Sequence, residues 1–156
     1  MKKWLSYLLL LAAVPVLSFG GFGGQDVGKL QPVQVILVRT KNGQLHLSTD
    51  TQSTGLGEDI HKAIADMNET ASARVFLDTA DYLLLTKGTE ACLPQLQEYL
   101  RPSCSVCYVS GEVDLTAAGE FLQHHQPKLT LTQYEAGETQ RPLLVSEEGR
   151  MKFVYE

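Results

Sequence analysis

Residues 74–86 read RVFLDTADYLLLT, the most apolar run of the chain outside its N-terminus. Val75–Leu77 and Tyr82–Leu85 are two strand-length blocks of the large apolar residues found in strands that are covered on both faces. Asp78 and Asp81 interrupt the run between the blocks. Because an unpaired carboxylate is costly to bury, we expect the four residues between the blocks to form a turn or bend at a sheet edge. Two strands and one bent strand both fit this pattern.

Strand patterns lie on both sides of this stretch. Pro32–Arg39 is rich in β-branched residues and predicts a strand, and Lys41-Asn42-Gly43 follows it, where Asn-Gly is the strongest short signal for a hairpin. Gln44–Ser48 then alternates apolar and polar residues and predicts a half-exposed second strand. Thr54–Gly57 predicts a turn. Further strand patterns lie at Cys104–Val109, Leu129–Leu131, and in a terminal hairpin of Leu143–Val145 and Met151–Tyr155.

Three helical patterns alternate with these strands. Ile60–Ala71 has apolar residues at i, i+3, i+4, i+7 and i+11, which is the pattern of an amphipathic helix. Leu93–Leu100 predicts a second helix, and Leu115–Leu122 predicts a third, with Asp114 as its N-cap. We therefore predict an α/β (or α+β) fold, a mixed β-sheet with about three packed helices in the order β-β-α-β-α-β-α-β-β.

The N-terminus has the anatomy of an export signal. Met1-Lys2-Lys3 is basic, Trp4–Leu17 is a nearly unbroken apolar run, and Ser18-Phe19-Gly20 places small residues before Gly21. The apolar run is shorter than the roughly 20 residues of a membrane span, and an uncleaved anchor is the alternative. We therefore expect a secreted or extracytoplasmic protein. Its expected segments are residues 1–20 as signal peptide or N-terminal anchor, 21–31 as a flexible lead-in, and 32–156 as a single α/β domain.

The charge of the chain excludes several classes of partner. There are 13 Lys and Arg against 18 Asp and Glu, a net charge of −5 that becomes −7 if Lys2 and Lys3 leave with the signal. The sequence has no basic cluster, so nucleic acid is not expected as a partner, because its phosphates need Lys or Arg. Contact with a membrane is expected only through an uncleaved N-terminal segment. No cofactor and no metal site are expected.

Cys92, Cys104 and Cys107 are the three cysteines. An odd number excludes a full disulfide framework, but one bridge can form in an exported protein, most simply from Cys92 to one of the others. The alternative is three small, buried hydrophobic side chains. Cys104 and Cys107 form a C-x-x-C motif inside the predicted strand, where residues i and i+3 point to opposite faces. We therefore expect no bridge between these two, and poor geometry for a redox pair or a zinc half-site.

Asp78 and Asp81 are the candidate binding residues. Leu77-Asp78-Thr79-Ala80 is similar to the apolar-Asp-Thr-Gly pattern of aspartic proteases, in which two carboxylates share one proton. Here Ala80 stands at the glycine position and the pattern occurs once. We therefore expect a structural role, in which Asp78 accepts hydrogen bonds from the backbone N–H groups near Ala80 and Asp81.

Three features occur together between Pro32 and Val109. They are the hairpin Val33–Leu47, the glycine-then-helix segment Gly57–Met67 that leads into the two apolar blocks, and the helix Leu93–Leu100 followed by the strand Cys104–Val109. This arrangement, which covers about half of the chain, resembles the N-terminal domain of the spore-germination receptor C subunits, the Ger(x)C lipoproteins. The resemblance implies an exported α/β module of a spore-forming bacterium and supplies no catalytic residues.

These patterns predict an exported, non-enzymatic α/β domain that binds a protein partner in the cell envelope. The resemblance implies a role in sporulation or germination. The alternative is a small exported enzyme, either a hydrolase using Asp78 and Asp81 or a thiol-redox protein using Cys104 and Cys107. An enzyme is the less favoured of the two classes.

Overall fold

A computed structural model describes residues 30–138, 140–147 and 150–155. The expected signal peptide or anchor, residues 1–20, and most of the expected lead-in lie outside the described residues. The described strands are β1 (Leu30–Pro32), β2 (Val35–Lys41), β3 (Gln44–Thr49), β4 (Thr54–Gly57), β5 (Arg74–Phe76), β6 (Tyr82–Thr86), β7 (Ser105–Ser110), β8 (Pro142–Glu147) and β9 (Arg150–Tyr155). The described helices are α1 (Ile60–Thr70), α2 (Leu93–Leu96), α3 (Leu115–His124) and α4 (Leu131–Glu135), with 3-10 turns at Leu77–Thr79 and Glu90–Cys92. None of these helices is long and apolar enough to cross a bilayer.

Seven strands form one mixed sheet in the order β4-β3-β2-β6-β7-β8-β9. The four central strands, β2, β6, β7 and β8, run parallel to one another. On one side β3 and β4 extend the sheet with antiparallel pairs, and on the other side β9 does the same. Strands β1 and β5 form a separate two-stranded parallel sheet. The predicted fold class with a mixed sheet is confirmed, and α4 is a short helix beyond the three that the sequence predicts.

Helices cover both faces of the large sheet, which explains the near-continuous apolar sequence of its central strands. Side chains alternate between the two faces. Ile36 and Leu83 point to what we call the first face, and Leu37 and Leu84 point to the second face. α1, α2 and α4 bury their apolar side chains against the first face. Among the described helices, α3 covers the second face.

Local signals set several element ends correctly. Asn42 and Gly43 have positive φ values of 54° and 79°, as a two-residue Asn-Gly hairpin loop requires, so the predicted hairpin is confirmed. Asp114 accepts hydrogen bonds from the first turn of α3 and is the predicted N-cap. Asp59 caps α1 in the same way. The N-termini of α1 and α3 are therefore set by capping side chains that can be recognised in the sequence.

The stretch that decides the fold splits into two strands of different sheets. β5 pairs with β1 in the small sheet, whereas β6 lies between β2 and β7 in the large one. The 3-10 turn at Leu77–Thr79 separates them. Two strands are therefore correct, and one bent strand is wrong. Leu30 and Gln31, which the sequence placed in the lead-in, belong to β1 because they pair with Arg74 and Val75.

Three local predictions were wrong. Thr54–Gly57 is the strand β4 and not a turn. Leu129–Leu131 is not a strand: it has only an isolated bridge at Thr130, whose side chain caps α4, and Leu131 is the first residue of that helix. The second helix ends at Leu96, and the following residues form a turn that the Leu100 N–H closes on the Leu96 carbonyl at 3.1 Å.

Gly55 and Gly57 explain why β4 forms where the sequence predicts a turn. A Cβ atom at Gly55 would collide with the Ala63 carbonyl and with Met67, and a Cβ atom at Gly57 would collide with the Ala63 N–H. Helix α1 therefore packs directly on the backbone of β4, at a separation that no larger residue allows. The two glycines therefore allow α1 to lie close to β4, and they do not reverse the direction of the chain.

Candidate functional site

Asp78 is exposed on the turn between β5 and β6, where it lines a groove of about 330 Å³. Phe76 and Tyr99 line the same groove, and Phe76 is 39% exposed. The expectation that Asp78 caps the turn is wrong, because the N–H groups of Ala80 and Asp81 donate instead to backbone carbonyls, those of Leu77 and Gln34. The Ala80 N–H donates to the Leu77 carbonyl at 3.0 Å. Asp78 is thus a surface residue on the rim of a groove.

Thr79, and not Asp78, is the residue of this turn whose side chain bonds to the backbone, and it ties the turn to Val33. Its hydroxyl accepts a hydrogen bond of 2.9 Å from the Val33 N–H. The same hydroxyl lies 2.9 Å from the Val33 carbonyl and 2.8 Å from the Phe76 carbonyl, and donates to one of them. Sequence reasoning missed this residue because its partner is 46 positions away, and no local pattern reports such a contact.

Asp81 is held by Arg101, whose Nη2 atom lies 2.8 Å from the Asp81 Oδ1 atom. Arg101 also donates to the Thr79 carbonyl at 2.9 Å. The two charged side chains are 52% and 42% exposed, so the ion pair contributes at most about 1 kcal/mol to stability. Asp81 lines a polar cleft of about 410 Å³ together with Gln34 and Ser105, at the amino ends of β2, β6 and β7.

Asp78 and Asp81 open onto different clefts. They therefore do not form the facing carboxylates that share a proton in an aspartic hydrolase. Across the described ranges of the chain, no group of three or more His, Cys, Asp and Glu residues lies close enough together to hold a metal ion. The two binding candidates named from the sequence mark two separate surface sites.

All three cysteines are free thiols, so the bridge from Cys92 that the sequence left open is not formed. Cys104 belongs to the core of the first face and Cys107 to the core of the second. The expectation that the sheet separates them is therefore confirmed. Burial raises the pKa of each of these two thiols to about 12. Both stay protonated at neutral pH and lack the thiolate that thiol-redox chemistry requires.

The two edges of the large sheet differ in how far they are covered. A helix covers the β4 edge. The Leu56 N–H donates to the Asp66 carboxylate of α1 at 2.8 Å, and the Thr70 hydroxyl of α1 lies 3.4 Å from the Thr54 carbonyl. Alternate residues of an antiparallel strand turn their N–H and C=O groups away from the neighbouring strand. Leu56 and Thr54 are such residues, so α1 engages the outward Leu56 N–H that an added strand would need and places its Thr70 side chain beside the Thr54 carbonyl. We call this side of the sheet the closed edge.

The opposite edge is β9, which pairs with β8 and with no other strand in the described part of the chain. Pro142 stands opposite Tyr155 and has no N–H, so this pair cannot exchange two hydrogen bonds. The Pro142 carbonyl accepts from the Cys107 thiol of β7 at 3.3 Å and so points away from β9. Because backbone groups alternate along a strand, those of the next residue, Leu143, point towards Val154. Alternation along β9 turns outward the N–H and C=O groups of three residues, which are Met151, Phe153 and Tyr155. We call this side of the sheet the open edge.

Side chains along β9 form two rows, because they alternate between the faces. The row that shares the second face with Leu144 is called the apolar row and consists of Met151, Phe153 and Tyr155. The row that shares the first face with Leu143 is called the basic row and consists of Arg150, Lys152 and Val154. Tyr155 and Val154 are 45% and 41% exposed. An added strand would contact both rows.

The open edge is anchored to the rest of the fold. The Phe153 ring lies 5.6 Å from the Phe121 ring of α3, and 6.1 Å from the Tyr155 ring. On the other face, the Lys152 Nζ atom lies 2.7 Å from the Glu147 carboxylate of β8. The aromatic side chains of this edge are therefore already held in position in the unbound protein. The sequence predicted the hairpin, but the position of β9 at an edge depends on strand order, which the pattern of a single strand does not reveal.

Comparisons with known proteins provide no relative from which a function could be transferred. No family model, no curated protein and no solved structure matches this chain. The resemblance of the segment from Pro32 to Val109 to the Ger(x)C N-terminal domain therefore stays a prediction.

Proposed function

We propose that this chain is an exported, non-enzymatic α/β domain that binds a protein partner in the cell envelope by adding a strand of that partner to β9. The observation that carries the proposal is the contrast between the two sheet edges. A natural sheet blunts its edges because unpaired N–H and C=O groups recruit other strands. Here the Asp66 carboxylate of α1 engages the outward N–H of Leu56, whereas Met151, Phe153 and Tyr155 keep their N–H and C=O groups turned outward.

Strand addition draws on two kinds of contact that the open edge supplies. Main-chain hydrogen bonds to the outward groups give affinity, and alternate side chains give specificity. Tyr155 and Phe153 add aromatic area, which is enriched at the energetic centres of protein interfaces. The charges of Arg150 and Lys152 discourage indiscriminate pairing with apolar strands. An edge of this kind suits a specific partner.

The arrangement of the other candidate residues supports binding over chemistry. Asp78 and Asp81 open onto different clefts, whereas an aspartic hydrolase needs its two carboxylates together. Cys104 and Cys107 lie on opposite faces of the sheet, whereas a redox pair must form and break a bond between its sulfurs. These placements count against the two enzyme alternatives and support the binding proposal.

The compartment in this proposal comes from the sequence. The basic and apolar N-terminal segment supports export, and the resemblance to Ger(x)C proteins supports a place in the envelope of a spore-forming bacterium, in sporulation or germination.

Site-specific photocrosslinking in the native host tests the proposal. A photoreactive phenylalanine analogue is placed at Tyr155 on the open edge, or at Leu56 on the closed edge as the matched control, since these side chains are 45% and 49% exposed. We expect one discrete protein adduct from position 155 and none from position 56. Met151→Pro should abolish the adduct, because proline removes an outward N–H that an edge strand can lose without unfolding. Met151→Ala should retain it, because the N–H stays.

Three results would contradict strand addition. They are an equal adduct from position 56, an adduct from position 155 that survives Met151→Pro, and no adduct from position 155 in the envelope fraction. Circular dichroism of each variant checks that the loss of an adduct does not come from unfolding.

A further inference from the structure

Four aromatic rings form a continuous cluster on the second face, beside the open edge. The Phe121 ring of α3 stacks on the His125 ring with their centres 4.4 Å apart, and it lies 5.6 Å from the Phe153 ring. The Tyr155 ring follows at 6.1 Å from the Phe153 ring. His125 and Tyr155 are exposed, and Phe121 and Phe153 are half-buried. Aromatic side chains are enriched at protein interfaces, so the open edge combines outward main-chain groups with a surface suited to a protein partner.

The two edges of the sheet together indicate what kind of partner covers the open one. A lone added strand would become the new edge and leave its own outward N–H and C=O groups unpaired. A second copy of this chain brings a whole sheet, which ends on its far side at β4, where Asp66 engages the Leu56 N–H. Pairing of two copies therefore covers both open edges at once, and the joined sheet ends at a closed edge on each side.

We infer that the strand added to β9 is β9 of a second copy of this chain, paired antiparallel about a twofold axis at Phe153. This inference rests on the proposed function, because it names the partner of the same edge. Most soluble oligomers are homo-oligomers with closed symmetry, and a twofold interface needs one surface patch that is complementary to itself. The open edge has this property in its main-chain groups, its side chains and its charges.

Strand geometry restricts which residues can meet across the twofold axis. Met151, Phe153 and Tyr155 turn their N–H and C=O groups outward, so they must stand opposite one another as hydrogen-bonded pairs. With the axis at Phe153, the two Phe153 residues form one such pair, and Met151 of each copy pairs with Tyr155 of the other. Residues that stand opposite each other share a face, so the apolar rows of the two copies pack together. Aromatic pairs and contacts of methionine with aromatic rings both stabilise such neighbours.

The charges of the edge permit this register. Lys152 stands opposite Val154 of the second copy, so no two cations meet directly. The two Lys152 side chains are diagonal neighbours, but Glu147 holds each Nζ atom at 2.7 Å on the side of β8, away from the axis. Residues 147–156 contain two basic and three acidic residues, a net charge of −1, so two copies of this edge meet with little net repulsion. An axis at Lys152 would instead set the two cations directly opposite each other.

A matched pair of substitutions at Val154 tests the register. This side chain is 41% exposed, so the fold accepts either charge there. Val154→Glu should tighten the dimer and Val154→Lys should weaken it, with dissociation constants that differ by at least about tenfold, because each dimer contains two pairs of residue 154 with Lys152. Net charge alone predicts the reverse order, since the chain carries −5 and a further carboxylate increases the repulsion between copies. Sedimentation velocity of the purified chain over a range of concentrations measures the constants.

Two controls locate the contact at β9. Leu56→Glu and Leu56→Lys change the charge of the closed edge, at a side chain that is 49% exposed, and should not reproduce the order found at position 154. Met151→Pro should give a monomer, because it removes the N–H that each Met151–Tyr155 pair needs, and circular dichroism checks that this variant stays folded. A wild-type chain that is monomeric at every concentration, a dimer that survives Met151→Pro, or a Val154→Lys dimer as tight as that of Val154→Glu would overturn the inference.

The mass of the host adduct separates this inference from the function on which it rests. An adduct with twice the mass of the chain, in which position 155 is joined to the region of Met151, supports both. An adduct with a different protein supports the function and overturns the inference. If the purified chain dimerises with the expected order at position 154 while position 155 gives no adduct in the envelope, the pairing of two β9 strands stands and the proposed function is wrong.

Discussion

The Leu56 N–H donates a hydrogen bond of 2.8 Å to the Asp66 carboxylate, and this contact joins the outermost strand of the sheet to the helix packed on it. The carboxylate occupies the place that the carbonyl of an added strand would take. Because one partner is charged, the bond is stronger than the neutral bond that a new strand would offer in exchange. Strand addition at this edge would therefore have to displace Asp66, and at β9 nothing comparable is found within the described residues.

Replacement of Asp66 should weaken the closed edge. Asp66→Ala removes the acceptor of the Leu56 N–H, and we expect the free energy of unfolding to fall by roughly 0.5–1.5 kcal/mol. Asp66→Asn keeps an acceptor oxygen and should cost less than half of that. Urea unfolding followed by circular dichroism measures both. Glu69→Ala removes the same charge from an exposed position of α1 and is the control, so an equal loss in Glu69→Ala would show that the hydrogen bond contributes nothing.

The glycines of β4 should tolerate substitution worse than a glycine in a loop. Gly55→Ala drives a methyl group into the Ala63 carbonyl and Met67, and we expect a loss of at least about 2 kcal/mol, as for other overpacked contacts. Gly43→Ala meets no atom and has to accept a φ of 79°, which costs about 1 kcal/mol. Thermal unfolding of the two variants tests this order, and a larger loss for Gly43→Ala would show that α1 can move away from β4.

Sequence patterns predict those parts of this fold that neighbouring residues decide. Asn42-Gly43 forms its hairpin because both residues accept positive φ, and the Asp114 cap begins α3 because the N–H donors that it accepts from lie within the same turn of chain. The spacing of Ile60, Ala63, Ile64 and Met67 predicts α1 because one face of the helix is buried as a whole. In each case cause and effect lie within about one or two helical turns.

The parts that failed depend on distant partners. Thr54–Gly57 has the composition of a turn, and only the approach of α1 makes its glycines suitable for a strand. Asp78 is the more polar residue of its turn, yet Thr79 is the one that reaches Val33. The open edge requires the strand order of seven strands, which no single strand encodes. The candidate carboxylates could thus be named from the sequence, but neither their separate clefts nor the β9 site could be.

Thr79, and not Asp78, should be sensitive to mutation. Thr79→Val keeps the shape and removes the hydroxyl that pairs with the backbone of Val33, a residue only 1% exposed. We expect a loss of about 1–3 kcal/mol, because a buried N–H is left without a partner. Thr79→Ser should recover most of it. Asp78→Asn, at an exposed position, should stay within about 0.5 kcal/mol of wild type. Urea unfolding of the three variants checks this, and a loss above that range for Asp78→Asn would restore its capping role.

Alkaline pH should destabilise the fold through the buried thiols. Burial raises the pKa of Cys107 from 9.0 to about 12, so the unfolded chain releases this proton at a lower pH than the folded chain does. Stability is then fully present below about pH 9 and is lost as pH rises towards 12, at up to about 1.4 kcal/mol per pH unit for one thiol. Burial also raises the pKa of Tyr108. The pH dependence of the wild-type protein alone therefore does not isolate the contribution of the Cys107 thiol. We expect Cys107→Ala to be less stable at pH 7 but to lose stability less steeply between pH 9 and 11. Urea unfolding at a series of pH values measures the two slopes, and parallel slopes would mean that the Cys107 thiol titrates alike in the folded and unfolded chains.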